Sequence, residues 1–74
     1  MSAIAKNVRW SSNDTGCYDT DFQEGSRRGR MLVSDLRRGR KTPLALVHIV
    51  ESMPEELGAT EKGFLFEIAI LAAA

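Results

Sequence analysis

Between Thr20 and Lys41 small or apolar residues recur at a helical interval, and the same stretch carries seven of the ten basic residues. From Phe22 they fall at 25, 26, 29, 32, 33 and 36, the i, i+3, i+4, i+7 rhythm of a single helical face. At about 100° per residue, Arg27, Arg30, Ser34, Arg37, Arg38 and Lys41 project from the flank or the far side. Such a helix has a core face and a basic face at once, so the rest of the chain must supply something for the core face to pack on. Thr20 with Gln23 three positions later has the spacing of a capping box. Asp21 and Glu24 suit the positive end of the helix dipole and Arg37 and Arg38 the negative end. With Gly39 as the stop, the first helix is expected over about residues 21–38. Gly25, Ser26 and Gly29 weaken it, each glycine by ~1 kcal/mol relative to alanine. Their place on the apolar face gives a reason for them: another helix can approach closely there.

Two further helices follow. Thr42 is a good N-cap and Pro43 suits a first helical position, so a second helix is expected over about 43–53. Leu46, Val47, Ile49, Val50 and Met53 form its apolar side, with His48, Glu51 and Ser52 opposite. Pro54 to Gly58 makes a turn, and from Thr60 a third helix is expected over about 61–73. Its apolar residues surround the axis, with Glu67 as the interruption, and a helix apolar all round must be buried on nearly all sides. Two short neighbours cannot cover it. The expectation is a homodimer with Phe64, Leu65, Ile68 and Leu71 at the interface. Residues 1–19 form an irregular arm, partly extended or flexible, in which Ile4, Val8 and Trp10 could make a short extended piece. Residues 11–16 have turn composition, and Trp10 and Tyr18 are expected to tuck against the helices. The fold class is thus all-α: three short helices in a domain over 20–74, preceded by the arm.

Size limits what such a domain can do alone. A chain of 74 residues buries only about 60% of its unfolded surface, so its core is small and reinforcement is expected. Cys17 is the single cysteine, which rules out an internal disulfide and a cysteine-rich metal site. Association with another molecule is the reinforcement left. Lys6 and Arg9 interrupt any signal-like apolar segment at the start, and the apolar run near the end falls short of the ~20 residues a spanning helix needs. A soluble cytoplasmic protein with no membrane partner is expected.

Residue chemistry points away from catalysis. A Cys–His nucleophile would need Cys17 beside His48, and nothing in their spacing demands it. Gly25, Gly29 and Gly39 lack the strand-to-helix context of a phosphate loop. One histidine and one cysteine give no metal-ligand set, and the adjacent Glu55 and Glu56 diverge on a helix. No cofactor, no metal and no enzymatic activity are expected.

What remains is the basic stripe. Arg27-Arg28-Gly29-Arg30 is echoed by Arg37-Arg38-Gly39-Arg40 ten residues later, and arginine suits bidentate contact with phosphate or carboxylate. The residues Arg38-Gly39-Arg40-Lys41-Thr42-Pro43 resemble the core of an AT-hook, which implies insertion of Arg-Gly-Arg into a minor groove. Lys41 and Thr42 stand where that motif has its proline. A helix-turn-helix fails because the would-be recognition helix at 61–73 is hydrophobic. The net charge is zero, whereas a polyanion-binding domain is expected to be strongly basic. The expectation is therefore a small non-enzymatic regulatory or inhibitory protein that occupies a surface of a larger protein or complex, one that handles nucleic acid among the candidates. Arg27, Arg30, Arg37, Arg38, Arg40, Lys41 and Trp10 would make the contact. Phage and mobile-element inhibitors of host defence complexes are comparable in size and simplicity, an analogy with no motif behind it. The alternative is a DNA- or RNA-binding regulator that uses both RRGR segments directly.

Overall fold

In a computed structural model, described over residues 9–74, the chain forms three helices: α1 over Tyr18–Arg37, α2 over Leu44–Glu51 and α3 over Ala59–Ala73. No strand occurs among the described residues, so the class is all-α. The expected extended piece at Ile4 and Val8 lies outside them.

The first helix starts three residues before Asp21. Cys17, extended at φ −107°, takes the cap position without a side-chain hydrogen bond, and its carbonyl accepts the Asp21 N–H at 3.0 Å. Thr20 is therefore inside the helix, where its hydroxyl donates to Cys17 Sγ at 3.3 Å rather than capping. That bond, together with the Thr20 backbone N–H, holds the exposed Cys17 thiol below its ordinary value. Asp21 explains the earlier start. Its carboxylate is 5% exposed and accepts the Thr15 N–H and hydroxyl at 3.1 and 2.8 Å, folding the preceding turn onto the first helical turn.

The other end of α1 closes as a Schellman motif. Gly39 takes φ +74°, its N–H bonds to the Leu36 carbonyl at 3.2 Å, and the Arg40 N–H reaches back to the Asp35 carbonyl at 2.8 Å. Pro43 is already helical, and the Ala45 and Leu46 N–H groups bond three residues back to Thr42 and Pro43, so α2 opens with a tight turn and without a threonine side-chain cap. At α3, Glu61 supplies half of a capping box: Oε1 accepts the Gly58 N–H at 2.7 Å, and glycine has no side chain to return the bond.

The main packing is α1 on α3, and it is glycine that lets the two helices meet. A Cβ at Gly25 would fall 2.7 Å from the Phe64 nitrogen, and one at Gly29 would fall 2.9 Å from the Phe64 carbonyl oxygen. From the other side, a Cβ at Gly63 would fall 2.8 Å from the Phe22 carbonyl carbon. The Ser26 hydroxyl donates across the contact to the Gly63 carbonyl at 3.4 Å. Among the described residues the buried apolar ones are Leu32 of α1, Ala45 of α2 and Phe64 of α3. The core is small, as 74 residues require.

The cover over α3 is uneven, which revises one expectation. Phe64, expected between copies, is 1% exposed within the single chain because α1 and Trp10 enclose it. Thr60, Glu61 and Gly63 are buried with it. Beyond that turn the enclosure ends. Leu65, Ile68 and Leu71 are half-buried, and Phe66 and Ile70 are 54% and 46% exposed. No helix among the described residues is long and apolar enough to cross a membrane.

Candidate basic docking surface

The two RRGR segments, identical in sequence, meet opposite fates. In the first, Glu24 binds two arginines at once. Arg27 donates to it from Nε and Nη2 at 3.0 and 2.7 Å, and Arg28 Nε donates at 2.9 Å. These donors pull the Glu24 carboxyl down to about 2. Arg27 Nη1 also rests on Met31 Sδ at 3.0 Å. Arg30 pairs across the helix crossing with Glu67 at 3.6 Å. Arg27 and Arg30, expected to face a partner, are thus engaged within the chain.

Arg28, outside the expected contact set but spaced i, i+4 from Glu24 in the sequence, is tied most closely of the three. Its guanidinium lies 5.1 Å from the Trp10 ring centroid, and Nη1 donates to the Ser11 carbonyl. Trp10 is in turn held on every side. Its ring lies 4.9 Å from that of Phe64, its backbone N–H donates to Ser52 Oγ at 2.6 Å, and its indole N–H donates to Glu61 Oε2 at 2.7 Å. The expected hot-spot tryptophan therefore strings the arm to all three helices. The signal for this was present in the sequence as Gly58 followed by Glu61: a glutamate at the third helical position, next to a buried start, seeks N–H donors.

The second segment sits at the Schellman turn. Arg37, Arg38 and Arg40 are exposed and make no ion pair among the described residues, and residues 1–8 contain no carboxylate side chain to reach them. Only Lys41 is matched, to Asp35 at 3.2 Å. No family model matches the chain, and neither a curated protein nor a solved structure does. The site must be read from its own chemistry.

That chemistry is a rigid cationic corner. The left-handed Gly39 reverses the chain within one turn, so Arg37, on the last turn of α1, and Arg40, beyond it, flank Arg38. Next to the turn, α2 exposes Leu44 at 56% and Val47 at 46%. The acidic segments do not fold back over this corner. Among the described residues the carboxylates that pair with cations are Glu24, Asp35 and Glu67, all within α1 or α3, while Glu51, Glu55 and Glu56 are exposed.

Proposed function

We propose that the chain is a non-enzymatic binding protein that regulates or inhibits a larger protein by seating the Arg37–Arg38–Arg40 corner on an acidic surface. The observation that carries this reading is the contrast between the two RRGR copies: one is neutralised internally and the other is left without a carboxylate. Arginine is among the residues enriched in protein-binding hot spots. The corner itself offers only three uncompensated cations, so phosphate contacts there would give a salt slope of only about −3 in log K for duplex DNA. That supports a protein partner over direct nucleic-acid binding.

The test is affinity capture from the native host with wild type and with a triple Arg37→Glu, Arg38→Glu, Arg40→Glu variant, read by mass spectrometry. A protein bound by wild type and weakened at least tenfold by the variant is expected, since reversing charges opposite an acidic patch is costly. Recovery of nuclease-sensitive material alone, with a mobility shift on DNA or RNA at low salt, would replace this reading with the nucleic-acid one.

The same proposal has two copies meeting through the end of α3, with Phe66 and Ile70 beside Leu65, Ile68 and Leu71. Light scattering is expected to give twice the 8.2 kDa chain mass, and Ile70→Asp to return the single mass with the helical spectrum intact. A wild-type protein of 8.2 kDa at 100 μM (about the upper end of useful dimer affinities) would rule the dimer out.

A further inference from the structure

The arm, α1, α2 and α3 meet around a cleft of about 280 Å³. Its apolar lining comes from Trp10, Met31, Leu32, Ile49 and Phe64. Its cations are Arg9, Arg27, Arg28 and Lys41, with Asp35 as the acid on its wall. Arg27 and Arg28 share the one carboxylate of Glu24, and Lys41 has Asp35. Arg9 has no carboxylate among the described residues, and residues 1–8 offer none. Cations therefore exceed acids by two around an apolar floor. Lys41 joins this cleft to the arginine corner, being both its wall and the residue after Arg40.

We infer that the cleft takes one aliphatic or aromatic side chain from an acidic segment of the partner, whose flanking carboxylates lie on the cleft rim and on the Arg37–Arg40 turn. This rests on the proposed docking function and specifies what the partner presents. The space of about 280 Å³ holds one side chain and stands at the lower edge of the roughly 300–1,000 Å³ of pockets that enclose small molecules. Charge selects the flanks: a neutral or basic segment would bring nothing to the two excess cations and would leave the arginine corner unmatched. The apolar floor supplies affinity, and the cations set register and exclude other segments.

Trp10 is the only tryptophan and lines the cleft, so its emission reports occupancy there, while anisotropy of a labelled peptide reports binding anywhere. The probes are acidic nonapeptides with Leu, Phe or Gly at the centre, and a Leu peptide with serine in place of every acid. The Leu or Phe acidic peptide is expected to bind at least tenfold more tightly than the Gly peptide and to shift Trp10 emission; the serine peptide is expected to bind at least tenfold more weakly. Met31→Glu, at a half-exposed position on the cleft, is expected to abolish the Leu-over-Gly preference with the helical spectrum unchanged. Equal binding of Leu and Gly peptides with silent Trp10 would overturn the cleft and leave the arginine corner standing. Absence of anisotropy change with every acidic peptide would overturn both.

Discussion

Gly25→Ala is expected to destabilise the protein by about 3 kcal/mol, the upper part of the range for overpacking a close contact. For a domain of this size that is a fall in Tm of roughly 12–24 °C, readable by circular dichroism. Helix propensity alone gives the opposite sign, since alanine in place of a helical glycine gains ~1 kcal/mol. Space decides against propensity. The new methyl carbon would lie 2.7 Å from the Phe64 nitrogen and 2.9 Å from the Thr60 carbonyl carbon, with the Thr60 oxygen nearer still. Those are backbone atoms of α3 and cannot rotate away, so the helices must separate. Gly63→Ala meets the Phe22 backbone in the same way. Because one separation relieves both clashes, the double variant should cost less than the sum of the two single ones. Gly16→Ala is the control: φ is +89° but nothing lies within 4 Å, so the expected loss is only ~1 kcal/mol of left-handed strain. A rise in Tm for Gly25→Ala would mean that the helices do not cross this closely.

This crossing was legible in the sequence from one side. Glycines 25 and 29 fall on the apolar face of a helix-patterned stretch, and bare backbone on a core face implies a close neighbour. Which neighbour was not legible, since Gly63 opens a run so apolar that no face of it stands out. The same uniformity misplaced Phe64. A helix apolar all round says that its sides need cover, but not whether the cover comes from its own chain or another. The arm supplied it for the first turns, through a tryptophan whose polar partner lies 51 residues away. Sequence spacing carries no information at that range. The basic stripe was legible as composition but not as two halves: Arg27 and Arg37 occupy equivalent letters, and what divides them is that Glu24 stands three residues before the first and Ser34 three before the second. Spacing alone does not separate the copies, since Asp35 stands three residues before Arg38 and yet pairs with Lys41.

Glu61→Ala is expected to cost about 3–4 kcal/mol, the range for removing a charged acceptor from buried donors. The side chain is 2% exposed and its carboxylate accepts from the Trp10 indole, the Ser12 hydroxyl and the Gly58 N–H at 2.7, 2.9 and 2.7 Å. Truncation strands all three and uncaps α3. Glu61→Gln keeps the shape but turns a donor toward donors, so it should recover only part of the loss. Acid acts on the same group. Burial pushes the Glu61 carboxyl up, but the bonds from Trp10, Ser12 and the backbone N–H groups outweigh it and hold the group below its ordinary value of 4.5. A carboxyl with a depressed folded-state value contributes its full stability above the unfolded value and loses it as pH falls. Stability should therefore be level above about pH 5 and decline below it, with Trp10 emission moving red as the indole loses its acceptor. Glu24 is depressed further, to about 2, but stands in solvent, where ion pairs contribute little. The two variants separate the contributions: Glu61→Gln should flatten most of the acid slope, whereas Glu24→Gln should leave it. Trp10→Phe isolates the indole bond, because it keeps a ring against Phe64 and Arg28 while deleting the donor. If Glu61→Gln melts like wild type at pH 7 and keeps the full acid slope, the arm is held by ring packing, and the carboxylate is incidental to it.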